Sequence, residues 1–137
     1  MGLVLDSSVL IAAERESTLV SDLLINIERA FGETEVVISS VTVVELEHGL
    51  HRARSEQQVT RRRDYLDNLF AAVPVESFTK EMAQIAAKID AESRRLGITV
   101  PFPDLMIGVT ALYFGYSLGT RNLRHFKLIS GLKVIEL

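Results

Sequence analysis

The apolar positions along this chain change period repeatedly, and each change marks an element. Leu3-Val4-Leu5 is a short continuous apolar run ending at Asp6, which predicts a buried strand. Ser7 or Ser8 can cap a helix from Val9 to about Glu16. Val20, Leu23, Leu24, Ile27, Ala30 and Phe31 recur at helical spacing, and Gly32 stops that helix. Val36-Val37-Ile38 is the second strand, and Ser39-Ser40 leads into a helix from about Val41 to Arg54. A polar helix follows, roughly Glu56 to Leu69, and then a third strand, Val73 to Val75. Met82, Ile85, Ala86 and Ile89 form one stripe of a long helix, Thr79 to Leu96, closed by Gly97. Pro101 and Pro103 break the chain and open a helix from Asp104 to Phe114, ended by Gly115. Tyr116 to Gly119 is the fourth strand, Leu123 to Phe126 a short helical turn, and Lys133 to Ile135 a last edge strand. Short apolar strands alternating with helices predict an α/β fold, its sheet mainly parallel and covered on both faces.

The 137 residues suit one domain, and an apolar content of 47% suffices for one core. Charged residues make up 24%, an ordinary fraction for a folded chain. No cysteine is present, which excludes disulfides, thiolate chemistry and cysteine-ligated zinc and is compatible with a reducing cytoplasm. No apolar run approaches the roughly 18 residues a membrane span needs. The start lacks the positive region of a signal peptide, so a cytoplasmic protein without membrane attachment is expected. The net charge of -3 argues mildly against nucleic-acid binding. Two basic groups soften that objection: Arg52, Arg54, Arg61, Arg62 and Arg63, and then Arg121, Arg124, His125 and Lys127. For Arg61 to Arg63 a solvated helix face is the favoured reading.

Sites of open parallel sheets lie beyond the carboxyl ends of the strands. Asp6 falls at that end of the first strand, and Glu45 one turn into the helix after the second. Asp104 opens the helix before the fourth strand, and Thr120 and Asn122 follow that strand. Each has a bland alternative. Asp6 and Asn122 can cap helices, Thr42-Val-Val-Glu45 fits a capping box, and Asp104 suits a helix dipole. Yet Glu45 lies among Val43, Val44 and Leu46, an odd place for a solvated acid. Gathered at one rim, three carboxylates repel one another, and a hard divalent cation relieves that repulsion. Such an ion can activate a water for in-line attack on a phosphodiester, with no nucleophilic side chain needed.

Four segments in order resemble the PIN-domain ribonucleases, and within them the VapC toxins of bacterial toxin–antitoxin pairs. They are Leu5-Asp6-Ser7-Ser8-Val9-Leu10-Ile11; Ser40-Val41-Thr42-Val43-Val44-Glu45-Leu46 with Gly49; Pro103-Asp104-Leu105-Met106-Ile107 with Ala111; and Thr120-Arg121-Asn122 with His125-Phe126. The resemblance spans almost the whole chain. It implies a PIN-like three-layer fold with a parallel five-stranded sheet, and cleavage of single-stranded or looped RNA using Mg²⁺ or Mn²⁺. It implies a homodimer, alone or in a larger assembly, and a VapB-type antitoxin that blocks the site. Asp6, Glu45 and Asp104 would then be metal ligands, with Thr120 and Asn122 orienting a ligand or a water. Many relatives carry Asp where this chain has Asn122. The amide brings no charge, which weakens a second metal position and leaves the first. Glu47, two residues from Glu45, should point elsewhere on the helix.

Other readings fit less well. A haloacid-dehalogenase-like phosphatase wants a second Asp where Ser8 stands. A phospho-receiver wants an Asp after the third strand, where Glu76-Ser77 stands, and a Lys where Thr120-Arg121 stands. A degenerate PIN domain that binds RNA or protein without cutting is the non-enzymatic alternative, suggested by the net acidity and Asn122. The three retained carboxylates weigh against it.

Overall fold

The computed structural model describes residues 1–137. In chain order the elements are β1 (Gly2–Leu5), α1 (Ser7–Arg15), α2 (Val20–Phe31), β2 (Glu35–Ser39), α3 (Ser40–His51), α4 (Glu56–Ala72), β3 (Val75–Glu76), α5 (Lys80–Arg95), α6 (Phe102–Phe114), β4 (Ser117–Thr120), α7 (Leu123–Phe126) and β5 (Val134–Glu136). The five strands form one sheet in the order β3-β2-β1-β4-β5, and every pairing is parallel. All carboxyl ends therefore emerge on the same rim.

The side-chain alternation of β1 divides the core in two. Leu3 and Leu5 face one layer with Val9 and Leu10 of α1, Val20 and Ile27 of α2, Leu46 and Leu50 of α3, and Leu66 and Leu69 of α4. Val4 faces the other layer with Met82 and Ala86 of α5, Leu105, Ile107, Val109 and Ala111 of α6, and Phe126 of α7. Helices thus cover both faces, and all four β1 residues are buried.

Several boundaries differ from the sequence expectation: α1 already includes Ser7 and Ser8, with Asp6 rather than a serine at its N-cap, and α3 ends at His51 instead of Arg54. The α4 helix runs on to Ala72, and the buried Val73 closes it by donating its amide to Leu69 O. Pro74 has no N–H for a ladder, so it only accepts, from Ile38 N at 3.0 Å, and β3 is delayed to Val75–Glu76. The α6 helix starts at Phe102 rather than Asp104, with Pro101 at its N-cap and Pro103 in its first turn. First-turn amides need no helical partner, so Pro103 fits inside the helix it was expected to precede. At the other end Gly115 takes the left-handed conformation (φ 68°) and turns the chain sharply into β4. No helix is long and apolar enough to cross a membrane.

Candidate metal centre at the carboxyl rim of the sheet

Asp6 follows the last residue of the central strand, and its amide donates to Gly119 O at 3.0 Å, extending the β1–β4 ladder. Its side chain is buried, 4% exposed, and makes no capping bond to the backbone of α1. Hydroxyls surround it instead. Ser7 Oγ donates to Oδ1 at 3.2 Å, while Ser8 Oγ and Thr120 Oγ1 donate to Oδ2 at 2.7 and 2.6 Å. Those hydroxyls are in turn held by backbone amides, Ser8 Oγ by Arg121 N at 3.0 Å and Thr120 Oγ1 by Asn122 N at 2.8 Å. Thr120 is the last residue of β4, fully buried, so the strand itself aims its hydroxyl at Asp6.

Glu45 lies on α3, and the capping role is not what it performs. The N-cap of α3 is Ser39, whose hydroxyl accepts from Val41 N, and Thr42 Oγ1 has no partner. Glu45 Oε1 is likewise buried without a hydrogen-bond partner. Burial pushes its pKa up, the negative charges of Asp6 and Asp104 add to the rise, and the Ser7 hydroxyl offsets part of it.

Asp104 sits in the first turn of α6 and is bound by His125, whose Nδ1 lies 2.7 Å from Asp104 Oδ2. Asn122 Nδ2 lies 3.2 Å from that same ring nitrogen. Asn122 occupies the N-cap position of α7 but makes no side-chain cap bond, so the capping alternative does not describe it. Burial raises the Asp104 pKa, contact with His125 lowers it, and the charge of Asp6 raises it again.

All five sequence-predicted residues thus come to one rim. Asp6 and Thr120 are in direct contact; Glu45 and Asp104 stand within electrostatic reach of Asp6; Asn122 joins the group through its backbone amide, which donates to Thr120 Oγ1. The three carboxyls do not close into a ready cage, since no trio of acidic or imidazole side chains is near enough to hold an ion as the side chains stand. The donor set is nevertheless all oxygen, crowded with negative charge, and contains one buried oxygen with no proton donor. That chemistry fits a hard divalent cation.

Sequence reasoning missed Ser8 and His125 as members of this group. Ser8 reads as a cap and His125 as part of a basic run, although both lie inside the quoted motifs. Glu47 points away, as expected. It accepts two bonds from Arg63, both at 2.9 Å, and this pairing keeps its carboxyl below the usual range. Arg62 meets Glu14 at 3.1 Å, so part of the Arg61 to Arg63 run ties α4 to α1 and α3 rather than simply meeting solvent.

The PIN domain family matches residues 3–131. Ribonuclease VapC1 of Rickettsia felis is 30% identical, the alignment covering 98% of this chain and 96% of the relative. Ribonuclease VapC of Rickettsia bellii is 31% identical over the same shares. Among solved structures, VapBC2 from Rickettsia felis bound to a promoter DNA fragment superposes with a TM-score of 0.84 at 20% identity, covering 99% of this chain and 98% of that one. DNA-bound VapBC from Salmonella typhimurium gives 0.84 at 24% identity with the same coverage. At those identities the structural likeness establishes the fold, while the profile match and the Rickettsia relatives establish the lineage. With four motifs in register on a five-stranded parallel sheet, the chain belongs to the PIN domain family.

Proposed function

We propose that this chain is a metal-dependent endoribonuclease, the toxin of a VapBC-type pair, which hydrolyses RNA phosphodiester bonds with Asp6, Glu45 and Asp104 holding Mg²⁺ or Mn²⁺. The observation that carries the proposal is the buried Asp6 carboxylate with a buried, unpartnered oxygen of Glu45 in its field. A structural acid has no use for that arrangement, because each negative charge makes the other costlier. Held there, a cation would supply charge neutralisation and an activated water for attack on phosphorus. The protein supplies position. Ser8 and Thr120 fix Asp6, Ser7 stands beside Glu45, and His125 orients Asp104. The relatives named Ribonuclease VapC and the VapBC complexes support RNA as substrate and a VapB-type antitoxin as partner. A homodimer belongs to the same reading.

A fluorogenic single-stranded RNA tests the chemistry. The chain should cut it with Mg²⁺ or Mn²⁺, stop in EDTA and resume when metal is restored. Asp6→Asn and Asp104→Asn should each lower the rate at least about 100-fold with unchanged circular dichroism. Undiminished cleavage by either variant, or cleavage in EDTA, would remove the mechanism. The net charge of -3 and the uncharged Asn122 favour a second reading, a PIN domain that binds without cutting; RNA binding with no cleavage at any metal concentration would select it.

A further inference from the structure

Glu45 also lies in the wall of a groove of about 350 Å³ between α1, α3 and α4, together with Arg15, Arg52 and Arg62. A second groove of about 550 Å³ continues it, sharing Glu14, Arg15, Arg62 and Tyr65 and adding Arg61, Gln58 and Asn68. In the wall of the first groove Arg62 Nη1 crosses Gly49, 2.8 Å from where a Cβ would stand. Charge along the path is unbalanced. Arg62 is matched by Glu14 at 3.1 Å, whereas Arg15, Arg52 and Arg61 enter no ion pair. Free guanidinium groups therefore line a channel with one end at a carboxylate of the proposed metal centre.

We propose that this groove carries the backbone of single-stranded RNA to the site, with Arg15 and Arg52 binding phosphates beside the one that is cut. The inference rests on the ribonuclease reading and adds the substrate's path to it. A chain of net charge -3 with a cluster of acids at its centre repels a polyanion. A local run of unpaired arginines removes that barrier, and the guanidinium fork suits phosphate oxygens. The amides of Gln58 and Asn68 add hydrogen-bonding partners without adding negative charge.

The test uses the full chain carrying Asp6→Asn, a fluorescein-labelled 12-nucleotide RNA without base pairing, and anisotropy across a salt series. Adding Arg15→Ala and Arg52→Ala should flatten the slope of log affinity against log salt by about 0.7 per arginine removed. In the chain with Asp6 intact, the same pair should raise KM and leave kcat in place. Arg15→Lys with Arg52→Lys should restore the slope, which a lost fold would not allow. Arg95→Ala, on the opposite layer, should change nothing. An unchanged slope and KM in the alanine pair would overturn the groove while leaving the ribonuclease intact. An unchanged slope with lost capture of the antitoxin would overturn it too, giving the groove to the protein partner. Continued cutting by Asp6→Asn would instead sink the ribonuclease reading on which the groove depends.

Discussion

The Glu45 carboxyl is disfavoured as an anion by its burial and by two neighbouring acids, and one of its oxygens finds no donor. Folding therefore favours its protonated form, and the same holds for Asp104, where burial again leads. For an acid whose folded pKa is raised, the stabilising contribution is complete below the unfolded pKa and is lost as pH climbs through the folded one. The metal-free chain should thus lose stability as pH rises out of the ordinary carboxylate range, and Glu45→Gln should melt higher than the parent at neutral pH in EDTA. A calorimetric scan showing no gain would mean that the repulsion is already screened. His125 is the second residue with a measurable consequence. It fixes the orientation of Asp104, so His125→Ala should weaken Mn²⁺ binding about 10- to 100-fold by titration calorimetry while leaving the Tm within a few degrees. Asp6, Glu45 and Asp104 were legible in the sequence because each stands at a strand end or helix start in a pattern with family precedent. His125 was not, because its partner is 21 residues away and its sequence neighbours, Arg124 and Phe126, suggest only a basic face and a core residue. Ser8 was hidden by the ambiguity of a hydroxyl near a helix start, which serves a backbone amide and a carboxylate equally well.

At the scale of elements, α1 and α4 are joined by one polar bond and one ion pair above the apolar layer. The Tyr65 hydroxyl of α4 donates to Leu10 O of α1 at 3.1 Å, and burial beside Glu14 pushes its pKa up to about 12. It stays protonated across the working pH range, so the bond is always available. Tyr65→Phe should cost about 1 kcal/mol by denaturant unfolding, the usual net worth of such a bond. A loss beyond about 3 kcal/mol would indicate that the ring itself had moved. The helices were read well from periodicity, since α2 and α5 each present one apolar stripe. Two of the misread boundaries involve proline. Pro74 shifted β3 and Pro103 was absorbed into α6, because a residue without an N–H breaks a ladder or interior helix but is harmless in a first turn. Strand order was not legible at all; it depends on which apolar faces meet, and sequence alone does not rank those encounters.

Across the whole molecule, β1 lies at the centre of the sheet, with β2 on one side and β4 on the other. Its partner β4 begins at Ser117, and the hydroxyl that fixes Asp6 belongs to Thr120. The molecule therefore joins residues 114 positions apart both in its core and in its site. A chain ended at Gly115 should show no cooperative thermal transition by circular dichroism, whereas removing only Leu137 should leave one. Pairing at such distance delays folding relative to helix formation, since loop closure must precede the contacts that reward it. A ribosome emits Asp6 114 residues before Thr120. In between, the nascent segment holds the acids but not the frame that assembles them. Any chemistry of this rim must therefore wait until β4 has joined β1, and a message broken between the two would yield a fragment without the hydroxyl that fixes Asp6.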